Sequence, residues 1–114
     1  MIRLDERTMN YSIAVRRFVK SLNKDLYTQS DILQLIRSSG SVGANYIEAN
    51  ECLSKKDFIY RIKICLKEAK ESRYWLKIIK NSYKYDNVEG LNYLIDESTQ
   101  IIRIFSSIIN KLKQ

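Results

Sequence analysis

Apolar residues recur at helical spacing along most of the chain, and the segment after residue 86 shows this most clearly. Leu91, Ile95, Ser98, Ile102, Phe105, Ile109 and Leu112 follow one another at steps of 4, 3, 4, 3, 4 and 3, and Leu94, Ile101 and Ile108 widen the stripe. This pattern predicts one long amphipathic helix with a broad buried face. "DNVE" precedes it, so Asp86 is expected to cap the helix while Glu89 reaches back. Phe58, Ile62, Cys65, Ala69, Ser72, Leu76 and Ile79 repeat the same steps, with Ser54 as the expected N-cap and Asp57 in the first turn. Cys65 lies inside that stripe and reads as a small core residue, not a reactive thiol. Nearer the start, Tyr11, Ala14, Val15, Phe18, Val19 and Leu22 predict a helix from about Thr8 to Leu22. "NKDLYTQSD" then breaks the pattern, and Ser30 is the expected cap of the next helix.

That next helix contains "RSSGSVGANYIEAN", residues 37–50, which invites two readings. Glycine-rich loops cradle phosphates, but such loops follow a strand and carry patterns such as GxxxxGK[ST] or GxGxxG. Here the spacing is GxxG, no strand precedes it and no lysine follows the second glycine. Leu33, Ile36, Gly40, Gly43, Ile47 and Asn50 instead continue a helical stripe at steps of 3, 4, 3, 4 and 3. A glycine inside a helix costs about 1 kcal/mol relative to alanine. Two of them on one stripe therefore predict a compensating close approach of another helix, with Gly40, Gly43, Ala44 and Ile47 as the packing residues. Four amphipathic helices with short connections predict an all-α, antiparallel up-down four-helix bundle forming a single domain over residues 1–114.

The stretches "IRSSGSVGANYIEAN" and "SKKDFIYRIKICLKEAKESRYWLKII" resemble the four-helix-bundle proteins encoded by intervening sequences inside bacterial 23S rRNA genes. The resemblance is densest from Leu35 to Ile79, where the small-residue stretch, Asn45, Glu48, the Lys67–Glu68 pair and Trp75 fall in the expected order. Asn50 departs from it, since many members have glycine there; asparagine also adopts the left-handed C-cap conformation. The fold is similar to that of the accessory protein of diversity-generating retroelements. The resemblance implies a homo-oligomeric ring, typically of five subunits, with no known catalytic activity. Nucleic-acid binding is a proposal for the family, drawn from basic surfaces and genomic setting.

Composition narrows the chemistry. Among 114 residues, 20 are Lys or Arg and 13 Asp or Glu, a formal net charge of +7 that favours anionic partners or, more blandly, solubility. Histidine is absent, which removes the commonest general base and metal ligand. Cys52 and Cys65 have no CxxC partner, so no zinc site is expected, nor any other metal or cofactor. With no recognisable nucleophile–base pair, the chain is not expected to be an enzyme. Glu48 and Glu51 lack the histidines of a di-iron site, so Asn45 and Glu48 are expected to join Arg73, Arg61 or Arg37 in a structural polar network. No apolar run approaches a membrane span and no signal peptide is evident, so a cytoplasmic protein with free thiols is expected.

Two further faces of the third helix carry candidate function. Lys56, Tyr60, Lys63, Lys67, Lys70, Tyr74 and Lys77 form a second stripe roughly opposite the apolar one. Lysines can take phosphates and tyrosines can stack on bases; a solvated face with snorkelling lysines is the alternative. Arg16, Arg17 and Lys20 offer a second basic candidate on the first helix. Between the two stripes lie Ile64, Glu68, Glu71, Trp75 and Ile78, an aromatic anchor with polar flanks that suits a subunit interface or intrachain packing. The expected function is a non-enzymatic homo-oligomer that binds RNA through its basic exterior. The alternative is a protein–protein assembly module for an acidic partner.

Overall fold

The computed structural model describes residues 2–113 and contains four α-helices: α1 (Leu4–Lys20), α2 (Gln29–Asn50), α3 (Lys55–Ser82) and α4 (Val88–Lys113). Each helix packs on two neighbours in the cyclic order α1, α2, α3, α4, with the α2–α3 seam the most extensive and α1–α4 the least. Along α1 and α2, Thr8 lies by Gly43 and Arg16 by Gly40. Along α2 and α3, Arg37 meets Glu68 and Glu71, while Asn45 and Glu48 meet Arg61. In both seams numbers rise on one helix as they fall on the other, as in the expected antiparallel bundle. Across the diagonal, Tyr46 of α2 and Phe105 of α4 meet at a 5.9 Å ring separation.

The α1, α3 and α4 stripes supply the core. Tyr11, Val15, Phe18, Ile62, Cys65, Leu76, Ile79, Leu91, Phe105 and Ile109 are all buried. Serines on these stripes are buried without orphaned hydroxyls: Ser72 lies 2.8 Å from the Tyr11 hydroxyl and Ser98 donates to the Ile95 carbonyl. Burial pushes the Tyr11 phenol up to about 12, so it stays a neutral hydrogen-bonding group at physiological pH.

The α2 register departs from expectation by one position. Ile32, Leu35, Ser39, Val42 and Ala49 face the core, whereas Leu33 and Ile47 are more than half exposed. The adjacent pairs Ile32–Leu33 and Leu35–Ile36 fit either register by hydrophobicity. The one adopted buries Ser38 and Ser39, whose hydroxyls bond to the Leu35 and Ile36 carbonyls and so cost little to bury. Gly40 and Gly43 therefore lie on the flank towards α1. Ala44 and Ile47 are exposed beside them, on the rim of an open groove of about 220 Å³ between α1 and α2.

Helix boundaries shift where polar side chains compete to cap. Helix α1 begins at Leu4, ahead of Thr8, whose hydroxyl donates to the Leu4 and Asp5 carbonyls inside the helix. Helix α2 begins at Gln29, before the expected cap Ser30; Asp25 instead accepts from the backbone N–H groups of Tyr27 and Thr28 in the preceding turn. Ser54 caps α3 as expected, accepting from the Asp57 N–H at 3.1 Å. At α4 the cap is Asn87, one residue after Asp86, and its Oδ1 accepts from the Gly90 N–H at 3.0 Å.

Candidate nucleic-acid interface

Helix α3 is gripped on two sides and open on the third. On one side Arg61 pairs with Glu48 at 2.7 Å and donates to Asn45, and Arg37 pairs with Glu68 at 3.2 Å and with Glu71. On the other side Arg73 reaches Thr99 of α4. The polar residues expected to form a cross-helix network do so, with Arg61 and not Arg73 as the partner of Asn45 and Glu48.

The remaining face is basic. Lys56, Tyr60, Lys63, Lys67, Lys70, Tyr74 and Lys77 are all exposed, with Tyr60 at 63% and Tyr74 at 58% of their full accessible surface. At about 1.5 Å per residue this face extends roughly 30 Å. Sequence reasoning omitted Lys55 and Lys80, which are also exposed on α3. Their place in the first and last turns, outside the seven-residue rhythm, hid them.

Which cations meet the acids decides the character of the face. Among the described residues, every ion pair uses an arginine: Arg3–Asp5, Arg7–Glu97, Arg37–Glu68, Arg37–Glu71 and Arg61–Glu48. Among the same residues no lysine is paired. Glu71 is the acid best placed by sequence to neutralise Lys67, yet it accepts from both Arg37 and the Trp75 indole N–H. Burial alone would raise the Glu71 pKa; the Trp75 and Arg37 hydrogen bonds, with smaller contributions from the Arg37 and Lys67 charges, outweigh it and hold the carboxyl below its ordinary value. Arginine's planar fork suits fixed carboxylate contacts, while lysine's flexible ammonium remains hydrated and free to meet a mobile anion.

Ile64, Glu68, Glu71, Trp75 and Ile78 lie on the shoulder of α3 that faces α2. Glu68 is buried and the other four are half-buried. The two acids are engaged by Arg37 within the chain, and Trp75 packs partly on the core and pairs with Tyr74 at a 5.2 Å ring separation. Arg16, Arg17 and Lys20 are exposed on α1, with Arg16 lying over Gly40.

A bond that the sequence did not disclose fastens the thinnest seam. Arg7 of α1 donates twice to Glu97 of α4, at 3.0 and 2.7 Å, and once to Gln100 at 2.8 Å. Glu97 is 9% exposed. Cys65 is fully buried, and burial pushes its thiol up to about 12, so it is not a nucleophile at neutral pH. Among the described residues no cluster of three His, Cys, Asp or Glu side chains is placed to hold a metal, and no helix is long and apolar enough to cross a membrane.

A family model described as 23S rRNA-intervening sequence protein matches residues 3–107. Among solved structures, a protein of unknown function from the S23 ribosomal protein family of Bacteroides thetaiotaomicron is 31% identical, with a TM-score of 0.78. The alignment covers 94% of this chain and 98% of that one. No curated protein matches the chain.

Proposed function

The chain belongs to the 23S rRNA-intervening sequence protein family, and from that premise we propose that it is a non-enzymatic homo-oligomeric bundle, a pentamer, that binds RNA through the outer face of α3. The observation that carries the reading is the division of cations: every ion pair among the described residues uses an arginine, and the α3 lysines stand exposed and unpaired beside two exposed tyrosines. Such a face takes phosphates without regard to sequence, and its affinity falls as salt rises. A ring would present several copies to one strand, so that weak contacts compound.

Changing Lys63, Lys67 and Lys70 together to Gln removes three charges per subunit and keeps good helix formers at exposed positions. The fold survives, RNA binding at about 50 mM salt weakens, and the salt slope becomes shallower. Wild-type protein without measurable RNA affinity at low salt overturns the reading. The same charge supports a second reading, an assembly module for an acidic protein partner. Purified protein free of nucleic acid by its absorbance ratio, with no RNA affinity, favours that alternative. The oligomer rests on family membership and on half-buried Trp75. Trp75→Glu shifts sedimentation towards smaller species if Trp75 anchors the interface; an unchanged oligomer with a lowered Tm places its role within the chain.

A further inference from the structure

The basic face of α3 is two copies of one unit. Lys56, Tyr60 and Lys63 stand at steps of 4 and 3, and Lys70, Tyr74 and Lys77 repeat that spacing 14 residues later. In each copy a tyrosine is bracketed by a lysine one turn before and one turn after. Lys67 stands between the copies, and all seven side chains are exposed. The two rings lie about 21 Å apart along the axis at 1.5 Å per residue.

Each ring is presented differently. Tyr60 borders an open depression of about 580 Å³ that it shares with Ile59, Lys55, Lys56 and Lys63. Tyr74 is braced by Trp75 in a T-shaped pair, at an interplanar angle of 75°. Among the described residues neither phenol has a hydrogen-bond partner that would bind it to the bundle, in contrast to Tyr11 and Tyr83, whose hydroxyls are engaged. A flat ring between two cations matches a base with a phosphate on either side.

From this repeat we propose that α3 binds single-stranded RNA in preference to duplex, with Tyr60 and Tyr74 as stacking platforms for two bases of one strand. The inference rests on the RNA-binding reading above and adds the form of RNA recognised. Bases in a duplex are stacked inside and leave only phosphates and 2′-hydroxyls for a flat helix face, so the tyrosines contribute nothing there. At the stacked rise of about 3.4 Å per nucleotide, 21 Å corresponds to roughly six nucleotides, and fewer if the strand is stretched. That lies within the 4–16 nucleotides that single-strand-binding domains commonly occupy.

The test measures binding of a 12-nucleotide single-stranded RNA and of the duplex of the same sequence, across a salt series, to the intact protein. Tyr60→Leu with Tyr74→Leu weakens single-strand binding by at least about 25-fold, at about 5-fold or more per platform, and leaves the salt slope and duplex binding unchanged. Tyr60→Phe with Tyr74→Phe keeps the platforms and binds as wild type. The single tryptophan, Trp75, changes fluorescence on titration with single strand, and Tyr74→Leu abolishes that change. If wild type prefers duplex, or the Leu variant binds single strand as tightly as wild type, the stacking inference falls while phosphate binding stands. If wild type binds neither form, the RNA reading itself falls and takes this inference with it.

Discussion

Two alanine substitutions three residues apart on α2 have opposite effects, and the difference isolates packing from helix propensity. A Cβ added at Gly43 would lie 3.0 Å from Thr8 Oγ1 and 3.3 Å from Thr8 Cβ. Comfortable contacts of this kind lie at about 3.5–4.0 Å. Thr8 has no freedom to withdraw, because it is fully buried and its hydroxyl bonds to the Leu4 and Asp5 carbonyls at 3.0 and 3.1 Å. At Gly40 the nearest atom is Arg16 Nη2 at 3.2 Å, the far end of an exposed side chain that can swing aside. Both substitutions gain about 1 kcal/mol of helix propensity. Only Gly43→Ala meets an overpacking cost, of about 1–3 kcal/mol. Gly40→Ala therefore stabilises by up to about 1 kcal/mol, while Gly43→Ala is neutral to destabilising by about 2 kcal/mol. Near this chain length 1 kcal/mol corresponds to roughly 4 °C in Tm. Thermal melts followed by circular dichroism report the contrast, and Thr8→Ala in the Gly43→Ala background recovers part of the loss. Equal gains in Tm from both single substitutions would refute a tight α1–α2 contact at Gly43.

Glu97→Ala strands the Arg7 guanidinium at the edge of the core and costs on the order of 3 kcal/mol, whereas Gln100→Ala, which removes a more exposed partner, costs less; urea melts separate the two. Because the folded-state pKa of Glu71 is depressed, its contribution to stability is fully present above the ordinary carboxylate value near 4.5 and is lost as pH falls through the lower folded value. Glu71→Gln thus flattens the acid limb of a Tm-against-pH profile below the ordinary carboxylate value near 4.5, and an unchanged limb contradicts the assignment. In native protein a thiol reagent modifies half-exposed Cys52 and spares Cys65, and denaturant releases the second equivalent; two equivalents at once in the native state would show that the core opens readily.

Spacing made the helices and the core of α1, α3 and α4 legible because one stripe on each is plainly more apolar than any other. On α2 it failed by a single residue, since neighbouring apolar pairs and neighbouring serines let two registers look alike. Only the three-dimensional fit of α2 against Thr8 distinguishes them. Caps were misplaced where Asp, Asn, Ser and Thr stand side by side, as at Asp86–Asn87 and Thr28–Ser30, because each can serve and backbone geometry chooses. The α3 lysine–tyrosine face was readable from periodicity alone. What periodicity could not reveal was which acids remain free to neutralise it. That depends on Arg37, which reaches Glu68 and Glu71 from a different helix, 31 and 34 residues away. Arg7–Glu97, at a separation of 90 residues, was beyond any local signal.

That last separation has a consequence for how the chain assembles as it is made. Helix α1 leaves the ribosome ahead of the others, but its ionic partner on α4 is synthesised 90 residues later. At about 5–20 residues per second, the wait is several seconds or more. During that interval the side of α1 meant for α4 is open to water. The Gly43–Thr8 contact gives α1 an earlier partner in α2, so the first helix can be held as half of a hairpin until the last arrives. A single glycine on α2 thus lets the flank of α1 towards α2 be covered early, leaving only its α4-facing side open to chaperones or to neighbouring chains until the chain is complete.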